Sequence, residues 1–188
     1  MTPGLALPDP ALADAVAGVA LRPWRATTGD VAALVAAWSD PEVAAGSLPP
    51  EDRSPASAEA WILGAPARLA SGLALDLVIV TVDDDDLVLG EVGLRNIDRV
   101  RRRGEIGWWI AAAHRGRGRS APAVALVAAW AAGPPLRLRQ VWARISPANP
   151  ASAAVARRAG FRRLGAAAGT EIWSRSPEGR PGAATLLP

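Results

Sequence analysis

The segment with the clearest chemical character is Arg115–Ser120, which reads RGRGRS and is followed at once by a pattern typical of a helix. Gly116 and Gly118 let the backbone turn its amide groups inward. The first turn of a helix also carries free N–H groups and the positive end of the helix dipole. The segment therefore indicates a loop that binds an anion such as a phosphate, although a merely flexible basic loop stays an alternative.

The composition excludes several other kinds of chemistry. The chain contains no Cys, no Lys and no Tyr, and its one His is His114. Disulfides, thiolate metal sites, cysteine nucleophiles, Schiff bases and the lysine of a Walker-type loop are therefore excluded. No metal site is predicted, and no phenol is available as a general acid.

The charge balance does not indicate nucleic acid. The formal net charge of the 188 residues is +3, and the pI of about 11.0 is high because almost no group titrates between pH 7 and the range of arginine. The longest apolar runs, Leu73–Val82 and Ala121–Ala132, are shorter than the ~20 residues of a membrane helix. We expect a cytoplasmic protein without a signal peptide and without nucleic-acid or membrane partners.

Apolar periodicity predicts an α+β chain. Strands are expected at Val19–Arg25, Leu73–Val82, Leu87–Ile97, Glu105–Ile110, Leu138–Ser146, Phe161–Leu164 and Thr170–Arg175. The second, third and fourth of these form an antiparallel meander. The acidic turn Asp83–Asp86 within it is interpreted as a solvated hairpin tip rather than a metal site.

Four helices are predicted between the strands. The expected N-caps are Thr27 or Thr28 for the first helix, Ser57 for the second and Asn149 for the last, whereas the third follows the loop at Ser120. The second helix is expected to kink or split at Gly64 and Pro66. We expect a loose lead-in at 1–18, one folded domain at 19–175 and a disordered tail at 176–188.

Three segments together resemble the GNAT superfamily of N-acetyltransferases, whose acyl-CoA loop follows Q/R-x-x-G-x-G/A. Arg115–Ser120 fits at the arginine and the central glycine, with Ser120 in place of the closing Gly or Ala. The segments GEIGWWIAAAHRGRG and NPASAAVARRAGF are similar to the fourth strand and the N-x-x-S…GF segment of the ribosomal-protein N-acetyltransferase branch. The order of elements agrees from about Val19 to Arg175.

The resemblance implies a mixed, mostly antiparallel central sheet of six to seven strands, flanked by about four helices, with a splay between the fourth and fifth strands. It also implies acetyl-CoA as co-substrate, with the pyrophosphate on the loop and the pantetheine arm along the free edge of the fourth strand. The residues expected to bind it are Trp109, Ile110, Ala111, Arg115, Gly116, Arg117, Gly118, Arg119, Ser120, Asn149 and Ser152.

The implied reaction moves the acetyl group to a primary amine, on a protein N-terminus or a small molecule, by direct attack in a ternary complex. The amine must first lose a proton, and Glu105, which shares a strand face with Trp109, is the expected general base. Pairing of Glu105 with Arg101–Arg103 is the alternative, and Glu91 is the reserve candidate for the base. Ser152 is expected to assist the leaving thiolate, unless its hydroxyl only bonds its own backbone.

Most of the eight tryptophans are expected in the core. Core positions are predicted for Trp24, Trp130, Trp142 and Trp173. The resemblance places Trp38, Trp61 and Trp108 on elements that line the acceptor groove, and these three are expected, with Glu91, to bind the acceptor. Core filling stays an alternative for each of them.

Two other function classes stay open at this point. A non-catalytic acyl-CoA-binding module is favoured by the missing Tyr, whereas Glu105 and Ser152 argue against it. An arginine-rich nucleic-acid binder predicts a basic face with interleaved aromatic side chains. A monomer or a homodimer is expected.

Overall fold

The computed structural model describes residues 5–9, 11–134 and 136–176. The predicted tail at 176–188 lies outside these residues except for Ser176, and the predicted lead-in at 1–18 lies partly outside them. The division of the chain into a lead-in, a domain and a tail stays a prediction.

The described residues form eight strands and six α-helices. The strands are β1 (Ala13–Asp14), β2 (Val19–Pro23), β3 (Ala74–Thr81), β4 (Gly90–Asp98), β5 (Arg103–Ile110), β6 (Gln140–Ile145), β7 (Arg162–Ala167) and β8 (Thr170–Arg175). The helices are α1 (Thr28–Ser39), α2 (Pro41–Ser47), α3 (Pro55–Leu63), α4 (Ala65–Ala70), α5 (Ser120–Ala132) and α6 (Pro150–Arg158). A short 3-10 turn, Ala112–His114, follows β5.

The strands form one sheet in the order β1-β2-β3-β4-β5-β6-β8-β7. Neighbouring strands are antiparallel except β5 and β6, which run parallel. Within the described residues the sheet has eight strands rather than the predicted six to seven, because Ala13 and Asp14 pair with β2. A strand of two residues is too short to leave an alternating pattern in the sequence. The predicted fourth and fifth strands correspond to β5 and β6.

Side chains accept hydrogen bonds from first-turn N–H groups at four helices: Thr27 at α1, Asp40 at α2, Ser54 at α3 and Asn149 at α6. The caps of α1 and α6 confirm the prediction. The predicted cap Ser57 is wrong, because Pro55 suits a first helical position and α3 begins there, after Ser54. The predicted second helix does split at Gly64, into α3 and α4.

The sheet separates two clusters of buried side chains. Val78 and Val80 of β3 face α1 and α3, whereas Leu77 and Ile79 face the cluster that contains α5 and α6. We call these sides the front face and the back face. Strand alternation and the pairing register place the following residues of β3, β4 and β5 on the front face: Asp76, Val78, Glu91, Gly93, Arg95, Glu105, Gly107 and Trp109.

Candidate active site

The splay predicted from the resemblance opens between β5 and β6. These strands pair only from Arg103 to Glu105 on β5, opposite Gln140 to Trp142 on β6. From Ile106 to Ile110, β5 pairs with β4 on one side, and no described strand pairs with its other edge. The backbone groups on that edge are therefore available to an extended ligand, because a strand edge can pair with an added chain.

The loop after β5 lies at the open end of the splay. Gly116 and Gly118 have φ values of +75° and +76°, in the left-handed region that glycine adopts without strain. A Cβ at either glycine would meet no atom within 4 Å. Within the described chain, no side chain caps the first turn of α5, which begins at Ser120. The loop and the helix therefore present N–H groups to open space, which suits a phosphate.

The arginines of this loop differ in their surroundings. Arg115 donates to Asp40 at 2.6 Å and to the backbone oxygen of Ile110 at 3.1 Å, and it forms an ion pair with Glu42 at 3.1 Å. Its side chain thus links the loop to α2, and its predicted role in cofactor binding stays a prediction. The side chain of Arg117 is exposed, which suits a residue that neutralises a phosphate at the protein surface.

The first turn of α6 lies at the same end of the sheet as the loop. Parallel β5 and β6 both lead toward this end, and α6 begins at Pro150, shortly after β6 ends. Asn149 accepts a hydrogen bond from the backbone N–H of Ser152 at 2.9 Å, and Ser152 is half-buried. The first turn of α6, which carries Ser152, therefore lies near the rim of the splay, and the predicted role of the Ser152 hydroxyl stays a prediction.

Four tryptophans surround part of the front face. Trp61 makes edge-to-face contacts with Trp24 and Trp38, at centroid distances of 6.1 and 6.4 Å, and Trp24 lies 6.3 Å from Trp109. We call these four residues the tryptophan cluster. Trp108, which was grouped with Trp38 and Trp61 in the sequence, packs against the back-face core. Neighbouring residues of a strand point to opposite faces, so Trp108 lies apart from Trp38 and Trp61, and its predicted role in acceptor binding stays a prediction.

Two carboxyl groups converge beside the tryptophan cluster. A Cβ built on Gly93 would lie 3.4 Å from Asp76 Oδ1 and 4.0 Å from Glu91 Oε1. The Trp24 indole N–H donates to Glu91 at 3.0 Å, and Arg68 donates twice to Asp76, at 3.1 and 3.0 Å. The two carboxyls therefore have different partners, a neutral indole for one and a cation for the other.

Burial shifts the pKa of both carboxyls upward. Desolvation, and then the negative charge of Asp76, raise the pKa of Glu91 to about 8, although the indole hydrogen bond opposes the shift. Desolvation also raises the pKa of Asp76 above its usual range, and the Arg68 charge opposes that shift. At neutral pH the Glu91 carboxyl is therefore largely protonated.

Glu105 is buried at the closed end of the splay, with its side chain 1% exposed. Its two oxygens accept four hydrogen bonds, from Arg95 at 3.2 Å, Asn96 at 2.7 Å and Arg144 at 3.3 and 3.2 Å. The alternative pairing with Arg101–Arg103 is wrong, because those residues lie in or beside the β4–β5 turn. Since a carboxylate offers about four lone pairs, Glu105 has none left for a substrate.

The structure thus brings most of the predicted site residues to one sheet region and adds partners that the sequence reasoning missed. The missed residues are Trp24, Arg68, Asp76, Arg95, Asn96 and Arg144. Side chains alternate between the two faces along β4, so Arg95 lies on the same face as Glu91. This alternation can be read from the sequence. The roles of Arg68 and Arg144 depend on contacts between distant segments, which no local pattern reveals.

Among the described residues, no group of three or more His, Asp or Glu side chains could hold a metal ion. Among the helices of the described residues, none has the length and apolar character to cross a bilayer.

Residues 19–162 match the family model of the acetyltransferase (GNAT) domain. The match and the sheet topology confirm the predicted fold class. The comparison with curated proteins gave no match.

Solved structures with the same fold cover nearly the whole chain. Mycobacterium smegmatis RimJ in complex with CoA-disulfide is 25% identical, with a TM-score of 0.72 over 88% of this chain and 86% of that one. An acetyltransferase from Agrobacterium tumefaciens is 26% identical, with a TM-score of 0.68 over 91% and 96%. The ribosomal-protein-S5-alanine acetyltransferase from Vibrio fischeri shares the fold at 19% identity, with a TM-score of 0.72 over 92% and 100%.

Proposed function

Because the chain belongs to the family of GNAT acetyltransferases, we propose that it transfers the acetyl group of acetyl-CoA to a primary amine. The observation that carries the proposal is the splay. The free edge of β5 from Ile106 to Ile110 leads directly to the glycine loop and to the uncapped start of α5. An extended strand edge that ends at an anion site matches the shape and charge of a pantetheine arm with its pyrophosphate.

The residues of the splay would hold the acetyl donor. The free backbone edge of β5 near Trp109 and Ile110 would pair with the pantetheine amides, whereas the Ala111 N–H already donates to the Leu89 oxygen at 2.9 Å. The N–H groups of 116–120 would bind the pyrophosphate. When bound, CoA supplies an acetyl thioester, which is already activated toward amines. Asn149 would hold the first turn of α6 so that Ser152 points toward the sulfur.

We favour Glu91 over Glu105 as the general base. Glu105 uses its lone pairs on Arg95, Asn96 and Arg144, whereas Glu91 accepts one hydrogen bond from an indole. A pKa of about 8 suits Glu91 for taking a proton from an ammonium group, whose own pKa lies near 8 to 10. The predicted role of Glu105 as base has no support in this geometry and is replaced by a role in holding neighbouring side chains.

The proposed reaction starts from an ammonium group, whose nitrogen must lose two protons. Glu91 would take the first proton, the neutral amine would form the new C–N bond as the thioester C–S bond breaks, and the second proton would pass from the nitrogen to solvent. Ser152 then donates a proton or a hydrogen bond to the sulfur, with solvent restoring the hydroxyl proton. Trp24, which donates to Glu91, and Trp109, which lies opposite Glu91 on β5, would with the rest of the tryptophan cluster exclude water from the amine.

A thiol-release screen tests the proposal. The wild-type protein and acetyl-CoA are incubated with small amines, amino acids and peptides with different N-termini, and free CoA is measured. We expect amine-dependent CoA release and an acetylated amine of the correct mass. If CoA is bound but no amine is acetylated, the chain is an acyl-CoA-binding module and the proposal is refuted.

Three variants test the assignment of the base. Glu91→Gln is expected to lower kcat by about 10²–10⁴-fold with acetyl-CoA binding unchanged. The wild-type kcat is expected to rise with pH through about 8, and this limb should be absent in the variant. Glu59→Gln, on the exposed side of α3, is the matched control. If Glu105→Gln is folded and abolishes the same limb while Glu91→Gln retains it, Glu105 is the base.

A further inference from the structure

Arg95 and Arg144 form a cationic pair on the front face, at the closed end of the splay. Both donate to the carboxylate of Glu105, which is buried, whereas the two arginine side chains are 47% and 52% exposed. Arg144 donates two hydrogen bonds to the Glu105 carboxylate, from Nε at 3.3 Å and from Nη2 at 3.2 Å. We call Arg95 and Arg144 the arginine pair.

The cluster around Glu105 has more positive charge than the carboxylate requires. One carboxylate faces two guanidinium groups and also the amide of Asn96, at 2.7 Å. One guanidinium would balance the charge of Glu105, so the second leaves the cluster with a net charge of +1. Because each arginine is half in solvent, N–H groups that Glu105 does not use can reach another anion.

The backbone of β4 is distorted where it presents this cluster. The register with β5 shifts between Arg95 and Asp98, and Asn96 has a φ of +51°. In a regular strand, successive side chains point to opposite faces, so Arg95 and Asn96 would not both reach Glu105. The bulge turns both side chains to the same carboxylate. Bulges that re-aim side chains are common beside functional sites.

The pair lies where the acceptor would meet the acetyl group. A Cβ on Gly107 would be 3.6 Å from each of the Arg95 Nη atoms, so this guanidinium lies over the middle of β5. Gly107 belongs to the segment whose outer edge is free. Glu91 lies opposite Trp109, two residues farther along the same face. A ligand that extends from Glu91 along this face of β5, toward the closed end of the splay, therefore meets Arg95.

We propose that the arginine pair binds an anionic group, a carboxylate or a phosphate, which the acceptor carries a few bonds from its reactive amine. The acceptor class is then a zwitterionic amine, such as an amino acid or a phosphorylated amino alcohol, and not a polyamine. The inference rests on the proposed function and deepens it. Glu105 is a positioning residue that holds both guanidinium groups in place.

The test compares acceptors that differ only in the anion. For wild-type protein, kcat/KM is measured with the L-α-amino acids and their carboxamides, with O-phosphoethanolamine and ethanolamine, and with spermidine. We expect at least one anion-bearing acceptor to exceed its neutral partner about tenfold, mainly through a lower KM. The amino-acid and phosphate arms identify which anion the pair prefers.

The variant is Arg144→Gln, because Arg95 and Asn96 still donate to Glu105 in it. It is expected to reduce the preference for the anion to within about twofold, by raising KM for the anionic acceptor only. The matched control is Arg163→Gln. Arg163 is 50% exposed and pairs with Glu171 at 2.7 Å on the β7–β8 hairpin, and its loss should leave the preference unchanged.

Three results would overturn the inference while leaving the acetyltransferase activity in place. The first is equal or faster turnover of the neutral partners. The second is acetylation of spermidine with none of the anion-bearing amines. The third is an equal loss on both members of each pair in Arg144→Gln, which would mark a structural role. If no amine at all is acetylated, the proposed function fails and the inference fails with it.

Discussion

Replacing Glu91 by Gln should stabilise the folded protein, and the gain should grow with pH. Glu91 accepts the indole N–H of Trp24 at 3.0 Å, and a Gln oxygen can accept the same bond. The amide differs from the carboxyl mainly in that it never becomes charged. The variant therefore removes the cost of ionising a group beside the tryptophan cluster and beside Asp76.

The size of the effect follows from the pKa of Glu91, which is about 8 in the folded chain, whereas an ordinary glutamate has a pKa of 4.5. Below pH 4.5 the carboxyl is protonated in both states, and wild type and variant should have similar free energies of unfolding. Between 4.5 and 8 the unfolded chain releases the proton that the folded chain retains, so the wild type loses up to about 1.4 kcal/mol per pH unit. Above pH 8 the difference should level off at about 5 kcal/mol.

Urea unfolding at pH 5, 6, 7, 8 and 9 measures this difference directly, with tryptophan fluorescence and circular dichroism as paired probes. Glu59→Gln, an exposed glutamate on α3, is the control and should leave the free energy of unfolding nearly unchanged at every pH. A gain from Glu91→Gln that does not vary from pH 5 to 9 would refute the argument. A loss that grows with pH would mean that the folded protein stabilises the Glu91 carboxylate.

Three further predictions concern the cofactor loop and the rim of the splay. Gly118 and Gly169 both have a φ of +76° and open space around a Cβ, so Gly118→Val and Gly169→Val should lower the stability of the fold by similar amounts. In calorimetry, only Gly118→Val should abolish acetyl-CoA binding. Ser152→Ala should lower kcat by less than tenfold with acetyl-CoA binding unchanged, because water can protonate the thiolate; a loss of ~10³-fold in steady-state assays would contradict this. Arg115→Gln should lower the midpoint of thermal unfolding by a few degrees, as expected for the loss of about 1 kcal/mol, whereas exposed Arg117→Gln should not.

Local signals in the sequence are sufficient to predict the helices and strands that surround the site. The segment from Asn149 to Gly160 shows why: a capping side chain, a proline at the first helical position and a glycine with φ of +85° past the end each act within one turn. Alternation likewise placed Glu105 and Trp109 on one face of β5. The splay was expected from the resemblance alone, because no local pattern states where two strands stop pairing.

The partners of the front-face carboxyls could not be obtained in this way. Arg144 reaches Glu105 across 39 positions of sequence, and Trp24 reaches Glu91 across 67. The bulge at Asn96 also breaks the alternation on which the sequence reasoning depends, since one extra residue changes which side chains share a face. Arg101–Arg103 are therefore the arginines nearest to Glu105 in the sequence, but they are not the arginines that pair with it in the fold.

Glu91 and Glu105 have the same side chain, but their surroundings give the two carboxyl groups different properties. Both lie on the front face of paired strands, and both are withdrawn from solvent. Three donors, two of them cationic, hold Glu105 as an acceptor and so fix the direction of Arg95 and Arg144. Glu91 has an indole, a nearby Asp76 and aromatic neighbours, which favour its neutral form at pH 7 and let it exchange a proton near pH 8. A carboxyl that exchanges a proton near pH 8 and a fixed cationic pair fit the transfer proposed above, to a zwitterionic amine, and they lie on one sheet face beside the free edge of β5.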